Sequence, residues 1–292
     1  MHSFKAYHPI VNFIYFLFVI GFSMLFINPV CLAISLVCSF LFSVTLIGKA
    51  AYERNLRFII PMLIAAAIIN PAFNHQGVTV ITFLPSGNPI TLESVFYGIA
   101  AGAMIACVIS WFLCYNEVMT SDKFIYLFGR VIPSLSLLFS MILRFVPMFA
   151  ESLKETAKAQ KCLGHDISKG SIGTRAKVGL SILSATITRF LESSVDTADS
   201  MRARGWGLRG RTSFSIFKFT TSDFFALIWI LALGTYIGIR AVSGKISFTF
   251  FPAISALSKT LDSLFVYSAY FALFITPVII EIWEGYKWKK LK

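Results

Sequence analysis

Residues 30–47 read VCLAISLVCSFLFSVTLI, a run without one charged side chain. A helix of about 17 to 25 such residues crosses the hydrocarbon core of a bilayer, which is roughly 30 Å thick. Similar windows lie near residues 10–27, 58–73, 94–114, 224–239 and 261–282. The third and fifth of the six are short for a full span, which leaves a tilted or re-entrant segment open at both. We predict an all-α, polytopic helical membrane protein with about six transmembrane helices.

The composition supports the same class. The chain of 292 residues is 57% hydrophobic and 14% charged, it contains 30 phenylalanines, and its mean hydropathy is +0.75. These values exclude an ordinary soluble domain. The first apolar window is too long for a secretory signal, and no small-residue cleavage site follows it. We therefore expect the N-terminal segment to stay on the mature protein.

Lysine and arginine predict the orientation in the cell membrane, because short loops rich in them stay cytoplasmic. They lie before span one, after spans two and four and at the C-terminus, so both termini are expected in the cytoplasm; these residues are Lys5, Lys49, Arg54, Arg57, Lys123, Arg130, Lys287, Lys289, Lys290 and Lys292. The loop 74–91 has neither residue type and is predicted outside, with a small β-hairpin formed by the run 78–83 and the turn 85–88. Lys245 and Lys259 fall in a predicted outer loop, against the rule.

The charge and the reactive side chains exclude several functions. The net charge of +12 is explained by loops beside membrane spans and by anionic headgroups, so no nucleic-acid partner is expected. Of the five cysteines, four lie in predicted spans and none forms a Cys-x-x-Cys pair, which predicts small membrane-helix residues and no metal site. The sequence lacks a phosphate-binding loop, a His-Glu-x-x-His motif and a Gly-x-Ser-x-Gly elbow. We expect no catalysis and no cofactor in this chain itself.

A charged region, residues 134–221, separates an N-terminal transmembrane region (1–133) from a C-terminal one (222–292). Its first helix runs through Leu-Arg-Phe-Val-Pro at 143–147, turns polar at Glu151 and stops at Gly164. An arginine at the bilayer centre costs about 2.5 to 3.5 kcal/mol, so Arg144 should mark an exit from lipid or a packed interface. Pro147 lacks an amide hydrogen and is predicted to bend the helix there.

A second, amphipathic helix is predicted over residues 178–204. Its apolar residues recur every three or four positions and share one face; they are Leu183, Ile187, Phe190, Leu191, Val195, Ala198 and Met201. Arg202 and Arg204 in the last turn suit the negative end of the helix dipole. Gly205 is the residue type that ends a helix in a left-handed cap. The pattern predicts a protruding helix with a charged tip.

Three motifs in this order resemble a known family: LRFVP at 143–147, AQKCLG at 159–164 and ADSMRARG at 198–205. They closely resemble the transmembrane T component of energy-coupling factor (ECF) transporters, the family that includes the cobalt-transport permease subunit. The likeness covers most of the chain, including Asn-His-Gln-Gly at 74–77. It implies two cytoplasmic ATPase subunits, or one fused ATPase, that bind ATP, and a membrane S component that binds a vitamin, cofactor or metal ion. The T component would join them.

In that family each of two coupling helices ends in an Ala-Arg-Gly-like motif that docks in a groove on one ATPase. Carried over to this sequence, the second motif is intact as Ala203-Arg204-Gly205, preceded by Arg202. The first reads Cys162-Leu163-Gly164, so leucine replaces the arginine, and Lys161 is a possible substitute charge. A guanidinium pairs bidentately with a carboxylate, whereas leucine only packs. We therefore expect two unequal anchors.

Two other classes stay open. A stand-alone channel or secondary transporter would need ion-coupling groups, yet the predicted spans hold almost no carboxylates. Solute flux through the purified chain without ATPases would favour it. A membrane enzyme acting on lipids or prenyl groups would need an acidic, histidine or serine constellation at the interface, and the sequence offers none.

Overall fold

The protein is described from a computed structural model, which covers residues 4–83, 88–129, 133–168, 171–206, 208, 217–244, 246–255 and 260–290. In chain order the helices are α1 (Pro9–Leu25), α2 (Pro29–Ile47), α3 (Lys49–Phe73), α4 (Leu92–Val118), α5 (Ser121–Gly129), α6 (Pro133–Cys162), α7 (Ile172–Ala203), α8 (Thr221–Val242) and α9 (Leu261–Lys290). The chain forms two compact units, one of Met1–Phe124 with Phe217–Lys292 and one of Ile125–Ile216. The three regions drawn from the sequence stay a prediction.

Every predicted apolar window falls on a helix. Within the described residues, α2, α4, α8 and the part of α9 at Leu261–Lys287 are long and apolar enough to cross a membrane, and Pro9–Leu25 and Ile59–Phe73 are shorter apolar helices. A multi-pass helical membrane protein is therefore confirmed.

The expectation that the fifth span is short is wrong. α8 has 22 residues, whereas the apolar window suggested 224–239. Its first turn is extended by a capping box in which the Thr220 hydroxyl and the Asp223 carboxylate each bond the other residue's backbone amide. Its last turn contains Arg240, whose guanidinium lies 3.6 Å from the Asp262 carboxylate and 5.5 Å from the centroid of the Tyr236 ring. Polar residues at both ends lengthen the helix beyond its apolar run.

The core of the first unit is built around Trp111 of α4. Its ring lies 5.6 Å from Phe274, 6.2 Å from Tyr15 and 6.1 Å from Phe42, so α1, α2, α4 and α9 meet there. The indole nitrogen donates a hydrogen bond of 3.1 Å to the Ser35 hydroxyl, because a buried indole N–H needs a partner. Four of the five cysteines are buried as free thiols in these helices, as expected of small membrane-helix residues.

Polar contacts of the N-terminal segment define one end of this unit. The His8 amide donates to the Asp223 carboxylate at 2.8 Å, and the Phe4 amide donates to the Glu281 carboxylate at 3.0 Å. Lys5 pairs with Glu117 at 2.6 Å. The starts of α1 and α8 and the ends of α4 and α9 therefore lie at the same end of the unit.

The predicted hairpin is confirmed as two antiparallel strands, β1 (Val80–Phe83) and β2 (Pro89–Thr91). Glu93, at the start of α4, is buried and accepts hydrogen bonds from the Thr79 amide at 3.2 Å and hydroxyl at 2.9 Å. These bonds hold the hairpin against the first turn of α4. Lys245 and Lys259, which contradict the charge rule, lie outside the described residues.

Candidate functional site

The second unit is built on two long helices, α6 and α7, of 30 and 32 residues. At a rise of 1.5 Å per residue each is about 45 Å long or slightly more. They pack through aromatic rings, because Phe190 of α7 lies 5.0 Å from Phe149 and 6.3 Å from Phe145, both edge to face. The Arg189 guanidinium lies 3.9 Å from the Glu155 carboxylate. This pair joins exposed side chains and contributes little, so the rings hold the helices together.

The buried face of α7 differs from the predicted apolar face. Ile182 and Thr186 are buried, and Phe190 is half-buried one turn later. Most of the predicted stripe is exposed instead, at Leu183, Ile187, Leu191, Val195 and Ala198. Thr186 tolerates burial because its hydroxyl donates to the Ile182 carbonyl at 2.8 Å. The apolar surface of α7 is thus wider than the face it buries, and an exposed apolar row remains.

The first tip, defined as residues 161–165, ends α6 in a Schellman motif. The Gly164 amide donates to the Lys161 carbonyl at 3.1 Å, and the His165 amide donates to the Gln160 carbonyl at 3.0 Å. Gly164 adopts a φ of +85°, the left-handed conformation that this motif requires and that glycine tolerates best. The sequence predicted that the helix stops at Gly164, and the structure shows the hydrogen bonds that end it there.

The second tip, defined as residues 202–206, repeats the same geometry at the end of α7. The Gly205 amide donates to the Arg202 carbonyl at 2.9 Å, and the Trp206 amide donates to the Met201 carbonyl at 3.0 Å. Gly205 has a φ of +75°, as its predicted role as a cap requires. The two tips therefore share one hydrogen-bond pattern, with the left-handed glycine at the same position in each.

This shared pattern aligns the two tips residue by residue. Leu163 and Arg204 each precede the capping glycine, Cys162 matches Ala203, and Lys161 matches Arg202. All six of these side chains are exposed, and 71% of the Leu163 surface is accessible to solvent. A leucine and an arginine thus project from equivalent backbone positions, which makes one tip apolar and the other cationic.

The first cation of each tip, Lys161 or Arg202, forms an ion pair with a nearby carboxylate. The Lys161 amine lies 3.6 Å from the Asp166 carboxylate, and the Arg202 guanidinium lies 3.9 Å from Asp199. Hydrogen bonds from the Ser168 amide and hydroxyl, with the charge of Lys161, lower the pKa of Asp166 below its ordinary value. Arg204 is exposed and forms no ion pair with any residue that the structure describes.

Two polar contacts at the junction of α6 and α7 involve residues outside the three motifs. Ser171 caps the start of α7 by accepting a hydrogen bond from the Thr174 amide, and the Arg175 side chain donates to the Ile167 carbonyl at 2.8 Å. A serine directly before the start of a helical run could have indicated this cap. Arg144 is exposed on α6, and the helix continues through Pro147. The bend at Pro147 stays a prediction.

No group of three metal-binding side chains lies among the described residues. The two tips offer groups for recognition, a cation and an apolar side chain, each presented at the end of a helix.

Comparison with known proteins identifies the family of the chain. The family model CbiQ, described as a cobalt transport protein, matches residues 2–214. The energy-coupling factor transporter transmembrane protein EcfT of Exiguobacterium sibiricum is 35% identical over 101 residues, which is 34% of this chain and 38% of that protein. The EcfT of Listeria innocua is 27% identical over 186 residues, 59% of this chain and 68% of that protein.

The EcfT of Lactobacillus helveticus is 32% identical over 109 residues, 37% of this chain and 39% of that protein. The matched segment thus spans about two fifths of the length of the first and the last of these three relatives. The family model covers most of this chain. The three relatives are named as transmembrane proteins of energy-coupling factor transporters, the family that the three motifs resemble. The chain is a multi-pass membrane protein that belongs to the CbiQ family and resembles ECF transmembrane components.

Proposed function

We propose that this chain is the energy-coupling subunit of an ATP-driven importer. Two cytoplasmic ATPase subunits, or one fused ATPase, bind and hydrolyse ATP, and a membrane S component binds a vitamin, cofactor or metal ion. The chain itself carries out no catalysis and binds no cofactor. The observation that supports this most directly is the pair of helix tips with one hydrogen-bond pattern, because two equivalent tips suit two related ATPase grooves.

Arg204 is the anchor of the second tip. Its side chain is exposed and has no ion pair among the described residues, so it can pair bidentately with a carboxylate in an ATPase groove. Leu163 at the equivalent position anchors the first tip by apolar packing, with Lys161 beside it. The two ATPase grooves should therefore differ, one acidic and one apolar.

Motion would pass along the helices from these tips. ATP binding draws the ATPases together, and each tip moves with the groove that holds it. Because Phe190 packs between Phe145 and Phe149, movement of α7 changes the packing of α6. The exposed apolar row of α7 at Leu183, Ile187, Leu191 and Val195 would contact the S component.

We also propose that both termini lie in the cytoplasm. The N-terminal segment and the end of α9 lie at the same end of the first unit, and the flanking lysines favour the cytoplasmic side for that end.

The test is retention of the ATPases by the tagged, co-expressed chain. Arg204→Ala should reduce the copurified ATPase about tenfold or more, because a hydrogen bond to a charged group contributes about 1.5 to 3 kcal/mol. Arg204→Lys should restore part of it, since the charge remains and the bidentate geometry is lost. The matched control is Lys177→Ala, an exposed cation in the first turns of the same helix. Unchanged retention and uptake in Arg204→Ala would overturn the role of the tip, and solute flux through the purified chain without ATPases would overturn the function.

A further inference from the structure

The C-terminal half of α9 carries an exposed stripe that the proposed function does not use. Its side chains change along the helix axis from aliphatic to aromatic to cationic. We call it the basic-aromatic stripe; it consists of Ile279, Ile282, Trp283, Tyr286, Lys287 and Lys290. With spacings of one, three and four residues, these positions share one face of a helix. From Ile279 to Lys290 the stripe is about 16 Å long at 1.5 Å per residue.

Each lysine of the stripe is held over an aromatic ring four residues earlier. The Lys287 amine lies 5.5 Å from the centroid of Trp283, and the Lys290 amine lies 5.8 Å from the centroid of Tyr286. The rings themselves remain open to the surroundings, with 65% of Trp283 and 64% of Tyr286 exposed. Lys287 and Lys290 are three residues apart, so the two ammonium groups lie on adjacent turns and can approach one phosphate together.

The acidic residues of the same helix segment lie on the opposite face. Glu281 and Glu284 are half-buried, and Glu281 accepts the hydrogen bond of the Phe4 amide. The segment is thus divided into an acidic face that contacts the N-terminal residues and a cationic face that does not. Of the charged side chains that the structure describes in this segment, those on the stripe are cationic.

We propose that the basic-aromatic stripe binds the headgroup of an anionic phospholipid. The order of its side chains follows the layers of a bilayer: isoleucines for the acyl chains, tryptophan and tyrosine for the interfacial belt, and lysines for the phosphate. The stripe also includes the last residues of the segment Leu261–Lys287, which is long and apolar enough to cross a membrane. A soluble acidic protein would match the lysines and leave Ile279 and Ile282 unmatched.

The binding site can be tested with the full-length chain purified in detergent. Native mass spectrometry, with phosphatidylglycerol or phosphatidylcholine added in steps, measures the affinity for each lipid. We expect a clear preference for phosphatidylglycerol. Each lysine near an anionic surface contributes about fivefold to affinity, so Lys287→Gln with Lys290→Gln should weaken phosphatidylglycerol binding about 25-fold and leave phosphatidylcholine binding unchanged.

The matched control removes the same charge elsewhere. Lys154→Gln with Lys158→Gln changes two exposed lysines of α6 that have no aromatic partner among the described contacts, and it should keep the preference. Trp283→Leu with Tyr286→Leu keeps apolar surface but removes the rings, and should weaken binding severalfold. Melting temperatures close to that of the unmodified chain show that the variants are folded.

Four results would overturn the proposal. One is equal affinity of the unmodified chain for the two lipids. Another is a loss of phosphatidylglycerol affinity in the α6 control as large as that in the Lys287 and Lys290 variant, which would assign the preference to net charge. The third is tight binding of soluble glycerol phosphate, because a ligand without acyl chains cannot use Ile279 and Ile282. The Lys287 and Lys290 variant could instead keep its lipid preference and lose a copurifying protein. The stripe would then be a protein interface, and the lipid site would be wrong.

Discussion

At the scale of single residues, the position before the capping glycine gives the two tips their different chemistry. Leu163 and Arg204 precede capping glycines with the same hydrogen-bond pattern. The motifs predicted the unequal chemistry of the two positions. They could not predict that the backbones match, because the hydrogen bonds of His165 and Trp206 depend on the chain beyond each helix.

The apolar character of the first tip gives a prediction about Leu163. If it packs in an apolar groove, Leu163→Met should retain the ATPases, because the two side chains have similar volumes. In Leu163→Asp the amount of copurified ATPase should fall at least tenfold, because a carboxylate would be buried without a partner. Copurification from cells that express the whole complex measures both. Equal retention of Leu163→Asp and Leu163→Met would contradict an apolar anchor.

The capping glycines give a second prediction. Gly205→Ala places a side chain at a positive φ, which costs about 1 to 2 kcal/mol, and the new Cβ would lie 3.1 Å from the Leu208 Cδ1 atom. Gly164→Ala has the same backbone cost with open space around it. Hydrogen exchange at the Trp206 and His165 amides should accelerate about 5- to 30-fold in the respective variants.

The control for these variants is Gly179→Ala in the interior of α7. A Cβ at this position meets no atom within 4 Å, and alanine favours a helix more than glycine does. Its tip amides should exchange at the rate of the unmodified chain. Faster exchange at Trp206 in Gly179→Ala would show that the tip responds to α7 in general and not to its cap.

Lys123 of α5 gives a prediction on pH. Burial, with the nearby charge of Lys5, lowers the pKa of Lys123 from its ordinary 10.5 to about 8, and its amine donates to the Lys5 carbonyl. Between pH 8 and 10.5 the unfolded chain holds a proton that the folded chain has released, so stability rises with pH in this window. Below pH 8 both states are protonated and the dependence disappears.

The measurement is the melting temperature in detergent over this range for the native chain and for Lys123→Met. Methionine fills a similar space without a charge, so the difference between the two chains isolates the amine. The melting temperature of the native chain should rise relative to that of the variant as the pH increases from 8 to 10. A difference that stays constant with pH would contradict the lowered pKa.

At the scale of helices, apolar windows predicted the membrane helices well and the ends of those helices less well. The window 224–239 missed the first and last turns of α8 because Thr220, Asp223 and Arg240 extend the helix with polar contacts. The nine-residue helix α5 was missed because two turns are too short for a periodic signal. Which apolar residues of α7 are buried was predicted poorly, since the stripe is wider than the face that packs.

The contact between α6 and α7 gives a prediction at this scale. Phe190→Ala removes the ring that packs on Phe149 and Phe145, and should cost about 2 kcal/mol, roughly half the value for a fully buried phenylalanine. Amide exchange along α6 and α7 should accelerate, and ATP-driven uptake should fall even where the ATPases remain bound. The matched control is Leu180→Ala, whose side chain is exposed and lies outside the apolar row assigned to the S component. Equal exchange in the two variants would show that the rings do not join the helices.

At the scale of the whole molecule, the sequence predicted the class, the hairpin loop and the family, because each leaves a local pattern. Its charge pattern also predicted that both termini share one side. The buried contacts that gather the helix ends, such as His8 with Asp223 and Phe4 with Glu281, join residues more than two hundred positions apart and leave no local pattern.

The most direct test of the coupling proposal uses a natural probe in the first tip. All five cysteines lie in the described ranges, four are buried and Cys162 is exposed. A membrane-impermeant maleimide should therefore label Cys162 selectively, with Cys162→Ser as the background. We expect labelling in inside-out vesicles and none in right-side-out vesicles, and strong slowing when the ATPase subunits are bound. Labelling from the outer side, or an unchanged rate with the ATPases bound, would contradict a cytoplasmic tip held in an ATPase groove.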